Sequence, residues 1–246
     1  MKRIVKDLNK LNDRVDEAIL SDEATLNKTI QDLKDVLYAH KDLVCLSAPQ
    51  IGVKARIFCI KFSNGDIRTF INPMITHSEG LHLSRESSAS IPDKQFIVPR
   101  NNEIQATYQT PVGKIESNLF QGAVAEVFQQ MEQSLNGVML SDYGLEIVEG
   151  WDEATQEERD QVIEMYLNSL KERGLALNEE IQNTPNLKEI SDAVDFMVSV
   201  SKGETKLEHV KTKEETQKEH QIQNLIKQAS IKDEYRNFIK KISRKK

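Results

Sequence analysis

Two cysteines in 246 residues are too few for a disulfide framework, and Cys45 and Cys59 form no C-x-x-C pair. Both read as small apolar residues on strand-like segments. The ten glycines are scattered, with no phosphate-cradling loop among them, so the common nucleotide-binding signatures are excluded. No apolar run reaches membrane-spanning length, and no secretory leader is legible, so synthesis in a reducing cytoplasm is expected, with later incorporation in a virion kept open. At 38% hydrophobic and 6% aromatic residues, the chain supports one ordinary domain plus an extension, and excludes two full cores.

Against these absences stand three short words in order. Residues 46–52 read Leu-Ser-Ala-Pro-Gln-Ile-Gly, residues 86–92 Glu-Ser-Ser-Ala-Ser-Ile-Pro, and residues 130–137 Gln-Met-Glu-Gln-Ser-Leu-Asn-Gly. In order and spacing they resemble the signature motifs of the peptide deformylase family, G-L-A-A-P-Q-I-G, E-G-C-L-S and H-E-x-D-H. Leu46, Ala48, Pro49, Gln50, Ile51 and Gly52 match the first motif, while Cys45 replaces its leading glycine and Ser47 an alanine. Glu86 and Ser90 match the second. The segments Phe70-Ile71-Asn72-Pro73, Leu135-Asn136-Gly137-Val138 and Asp142-Tyr143 fit the connecting sequence, so the resemblance covers about residues 1–150.

The resemblance places the family's chemical residues at four positions that carry something else. Ser88 stands at the metal-binding cysteine, Gln130 and Ser134 at the two metal-binding histidines, and Met131 at the catalytic glutamate. Two histidines at i and i+4 with a thiolate make a three-ligand site with an open position for water, whose proton the glutamate takes and returns. An amide is a weak ligand, a serine hydroxyl does not ionise at neutral pH, and a thioether carries no proton. The expectation is a catalytically degenerate deformylase-like domain, with no metal or other cofactor and no enzymatic activity. Ser88→Cys, Gln130→His, Met131→Glu and Ser134→His together would then restore metal binding. Gln50 resembles the family's oxyanion-holding glutamine; it either contacts a carbonyl or peptide end, or caps local backbone. Met131 reads as core filler.

Other catalytic readings are thinner. Ser87, Ser88 and Ser90 need a positioned base to become nucleophiles. His77 and His82 flank Glu79 in an expected turn, and read either as a partner for such a serine or as surface loop residues. His40, His209 and His220 lie outside the three motifs.

The first part of the chain patterns as mixed α and β. Ser21-Asp22-Glu23 looks like a helix start, followed by a stripe at Leu26, Ile30, Leu33 and Leu37. Ile57-Phe58-Cys59-Ile60 and Phe70-Ile71 suggest a hairpin through Ser63-Asn64-Gly65-Asp66, whose Asn-Gly favours a primed turn. A second hairpin is expected where residues 104–108 meet Pro111-Val112-Gly113. Val124, Phe128, Met131 and Leu135 mark a further helix. The fold class expected is α+β, peptide deformylase-like, a central helix against small antiparallel sheets followed by an α-helical extension.

Past residue 150 the composition changes. An acidic helical segment is expected over 151–202, with apolar periodicity at Ile163, Leu167 and Leu170 and again at Leu187, Ile190, Val194 and Met197. Residues 203–246 read as a basic amphipathic tail or arm; counted from residue 201 the tail is about six positive where the rest is twelve negative. Ile231, Tyr235, Phe238 and Ile242 line one face beside Lys240 and Lys241, and such a stripe requires a covering surface. The candidates are a neighbouring protein, this chain's own acidic segment, or RNA and the ribosome through phosphate contacts.

From the residues and the resemblance together, the expected function is a non-enzymatic structural or assembly protein, of the kind found in a bacteriophage virion or tail baseplate, gripping other subunits of a larger assembly through its extension. The alternative is a ribosome- or nascent-peptide-binding factor whose basic tail docks while the old pocket holds a peptide end. No membrane partner is expected.

Overall fold

The computed structural model describes residues 1–172. These form two compact units, residues 1–82 with 100–138, and residues 83–99 with 139–172. The features expected over residues 173–246, among them the stripe of Ile231, Tyr235, Phe238 and Ile242 with Lys240 and Lys241, lie outside the described residues.

In the first unit, helix α1 (Glu23–Ala39) begins where the acidic cluster predicts, because Asp22 is its N-cap and a side-chain oxygen accepts from the Thr25 amide at 3.2 Å. Leu26, Ile30, Leu33 and Leu37 are all buried, as their spacing requires. A side chain from the sheet caps the C-terminal end of α1 and the turn after it. Lys61 Nζ donates to the oxygens of Leu37, His40 and Lys41 at 3.2, 3.3 and 3.0 Å.

Strands β1 (Cys45–Ser47), β2 (Ile57–Lys61), β3 (Ile67–Ser88), β4 (Ile91–Gln109) and β5 (Ile115–Gln121) follow in that order across the sheet. Among the described residues, strand β1 pairs only with β2, antiparallel, with Leu46 opposite Cys59, and so forms one edge of the sheet. Helix α2 (Ala123–Leu135) adds Phe128, Met131 and Leu135 to a core with Phe58, Phe70 and Phe120. Phe70 packs edge-on against Phe128 at 5.2 Å between ring centres, and Phe58 does the same at 4.9 Å.

Both expected hairpins form, and they share a loop geometry. Phe62 N donates to Asp66 O and Gly65 N to Phe62 O; in the second, Thr110 N donates to Lys114 O and Gly113 N to Thr110 O. In each the left-handed residue is the glycine, at φ 88° for Gly65 and 80° for Gly113. The primed turn expected at Asn64 is therefore corrected. With three residues between the closing pair, one left-handed glycine restores the strand register, and Asn64 uses its side-chain oxygen to accept from the Asp66 amide at 3.1 Å. The turn expected around His77 and His82 is corrected too, since both lie on β3.

In the second unit, β6 (Leu145–Ile147) pairs with β4 through Ile97–Leu145 and Gln95–Ile147. Between Met139 and Gly144 lies the single turn α3 (Leu140–Tyr143), and Gly144 is closely approached by Phe96 and Val98. Helix α4 (Gln156–Glu172) opens with a reciprocal cap: Glu158 accepts from Thr155 N at 2.9 Å, and Thr155 Oγ1 accepts from Glu158 N at 3.3 Å. Its buried side is Val162, Tyr166 and Leu170, while Ile163 and Leu167 are half-buried beside them. Among the described residues, no helix is long and apolar enough to cross a membrane.

Candidate functional site

The first motif turns directly from β1 into a short 3₁₀ turn, Pro49–Ile51, closed by Gly52 at φ 75°. Proline at the start presets that turn, and the left-handed glycine ends it. Gln50 is thereby placed under β1, 2% exposed, with its Oε1 accepting from Ser47 N at 3.0 Å and from Ser47 Oγ at 3.2 Å. The N-terminal segment reaches the same turn, Val5 N donating to Gln50 O at 2.8 Å.

Helix α2 brings the third motif to β1. Ser134 Oγ lies 2.7 Å from Ser47 Oγ, and both side chains are buried. Cys45 Sγ lies 3.8 Å from Gln130 Oε1, where the thiol is the donor and the amide oxygen the acceptor. Met131 points the other way, into the aromatic core at 2% exposure. Cys45, Ser47, Gln50, Gln130 and Ser134 thus form one uncharged cluster at the edge strand.

Arg56 holds the far end of α2. It is 6% exposed, donating to Asn136 Oδ1 at 2.8 Å and, at longer range, to the carbonyls of Leu135 and Pro73 and to Glu132 Oε1. Burial pulls this guanidinium below its ordinary value, and the Glu132 carboxylate opposes that shift.

Ser88 lies in the second unit, where its Oγ accepts from Ser90 N at 3.3 Å. The histidines find carboxylates: His82 Nε2 is 2.8 Å from Glu126 Oε1, and His77 Nε2 is 3.7 Å from Glu79 Oε2. Sequence reasoning passed over Cys45 and Ser47 as site residues. The signal was present, because they are the two departures in an otherwise well-kept first motif.

The sequence profile of the polypeptide deformylase family matches residues 1–147. The chain belongs to that family. A peptide deformylase of Thermotoga petrophila is 33% identical over 118 residues, covering 48% of this chain and 71% of that one. The crystal structure of the Thermotoga maritima peptide deformylase superposes with a TM-score of 0.53 at 31% identity, over 58% of this chain and 95% of that chain. A probable peptide deformylase from Synechococcus phage S-SSM7 gives a TM-score of 0.53 at 25% identity, over 58% and 98%.

This membership overturns the expectation of a chain that is no enzyme. The relatives carry the name of an enzyme family. The four substitutions speak to one donor set and one hydrolytic mechanism, and do not remove the chain from its family. They do bear on the metal that the deformylase resemblance implies. Two hydroxyls and an amide are poor ligands for a borderline-soft cation, and the Ser134 hydroxyl and the Gln130 oxygen are already hydrogen-bonded to Ser47 and Cys45. Among the described residues, no group of three or more His, Cys, Asp or Glu side chains is placed to hold a metal ion. The residues present do not fit the metal.

Proposed function

We propose that this deformylase-family chain holds a polypeptide segment along the open edge of β1 and serves as an assembly component that joins other protein subunits. The observation that carries this reading is the edge strand itself. Among the described residues strand β1 has one neighbour, β2, and a polypeptide laid along its other side gains main-chain hydrogen bonds. Beside that edge, Cys45, Ser47, Gln50, Gln130 and Ser134 form a neutral, mostly buried cluster bonded within itself, which props β1 and sets no charge against a polypeptide laid along it. One solved neighbour of this fold comes from a bacteriophage, in keeping with a phage setting; the place in a virion or tail is argued from the expected stripe of Ile231, Tyr235, Phe238 and Ile242 with Lys240 and Lys241, which would supply a second grip on neighbours.

The test is fluorescence anisotropy of labelled methionyl peptides, formylated and unformylated, titrated with the full chain. Saturable binding that a Leu46→Pro variant loses is the expected result. No binding up to millimolar protein, or binding that Leu46→Pro leaves unchanged, overturns it.

A further inference from the structure

The first and third motifs depart from the family pattern together, and the structure pairs the departures. Ser47, where the family has alanine, meets Ser134, where it has a histidine, at 2.7 Å. Cys45, where the family has glycine, meets Gln130, at the other histidine position, at 3.8 Å. The two unusual residues of the edge strand thus each touch one unusual residue of α2.

Gln50 Oε1 accepts from Ser47 Oγ at 3.2 Å, and the Ser47 amide anchors the same oxygen by a second bond. When Ser47 donates there, Ser134 is the donor of the 2.7 Å bond, which gives a chain from Ser134 to Ser47 to Gln50. All three side chains are buried, at 5%, 0% and 2% exposure, so each bond is made in place of water and its loss leaves a stranded polar group.

We infer that the Ser134–Ser47–Gln50 hydrogen-bond chain, with Cys45–Gln130 beside it, ties helix α2 to the edge strand through the same two α2 positions that the resemblance gives to metal ligands, and makes this junction independent of metal. Such a tie involves no ionised group, and it holds whether or not a polypeptide lies on β1. Substituting either serine by alanine removes the tie between the two elements, so the two changes act on one interaction and do not add.

The experiment is thermal denaturation of the full chain in excess EDTA, without additive, and with zinc chloride or ferrous ion under anaerobic conditions. It is paired with elemental analysis of the purified protein and with the Ser47→Ala, Ser134→Ala and double variants. The expected result is a midpoint that neither chelator nor metal moves, less than a tenth of an equivalent of bound transition metal, and a drop of about 2–4 °C per ~1 kcal/mol lost in each single variant. The double variant falls no further than the worse single one, and Ser134→Thr, which keeps the hydroxyl, retains most of the midpoint. A midpoint lowered by EDTA, stoichiometric zinc or iron, or strictly additive alanine effects overturns the inference. Should an alanine variant fail to fold, the metal content and chelator response of the wild-type chain decide it alone.

Discussion

A side chain on Gly137 would place its Cβ 2.5 Å from the carbonyl oxygen of Asn12. The N-terminal segment runs across the end of α2 at this point, Val15 N donating to Leu135 O at 3.0 Å, and only a residue without Cβ lets the two backbones come so close. Gly137 also adopts φ 73°, so alanine there meets both a clash and an unfavourable backbone. Gly137→Ala is expected to lower the urea midpoint, with about 1–3 kcal/mol from the backbone conformation alone. An unchanged midpoint would show that residues 12 and 13 do not press on α2 in solution.

Arg56 ties β2 to the end of the helix that carries the third motif. Arg56→Ala leaves the carbonyls of Leu135 and Pro73 without this donor and takes the cation from beside Glu132. A loss of roughly 3 kcal/mol is expected from chemical denaturation, since removing one partner of a buried charged network is costly. Arg56→Lys recovers only part of it, because a point charge cannot reproduce the fork.

Met131 supplies a different kind of stability. Met131→Ala opens a cavity among Phe58, Phe70 and Phe128 and is expected to cost on the order of 2–4 kcal/mol, while Met131→Leu costs less than about 1.5 kcal/mol. If alanine and leucine behave alike, Met131 does not fill the core as described.

The two thiols should separate in reactivity. Burial pushes the Cys59 thiol up to about 11, so it stays protonated at neutral pH and is inaccessible between the sheet and its neighbours. Cys45 is half-buried on the edge strand. Iodoacetamide on the native protein, followed by peptide mass spectrometry, is expected to label Cys45 while Cys59 is modified only after unfolding.

Acid should weaken the start of α1. The Asp22 carboxyl lies below its ordinary value of 3.8 because the Thr25 side chain and amide donate to it. A depressed folded value means that its contribution is fully present above 3.8 and is lost as the pH falls through the lower folded value. Asp22→Asn keeps a capping oxygen without the charge, so its stability relative to wild type is expected to improve as denaturation is measured from pH 5 down to pH 2, about the range in which carboxylates protonate.

Much of the fold was legible because the relevant signals are local. The stripe of α1, its Asp22 cap, the apolar face of α2 and both hairpins follow from periodicity and turn residues within a few positions. The misread parts depended on register and loop closure: Asn64 escapes a left-handed conformation because Gly65 absorbs it, and His82 sits on a strand held to its neighbour. In α4 the stripe at Ile163 and Leu167 is rotated, and the helix buries Val162 and Tyr166, because helical spacing says which residues share a face and not which face its surroundings cover.

The sequence by itself determined the family, through three ordered motifs, and the donor set of the site, since residue type alone says that Ser88, Gln130 and Ser134 make poor metal ligands. Tertiary structure alone decided that Ser47 and Ser134 form one contact across 87 positions of chain and that Cys45 faces Gln130. Hydrogen bonds between distant residues carry no periodicity and leave no mark on neighbouring positions, so they come into being only when α2 is packed against the edge strand.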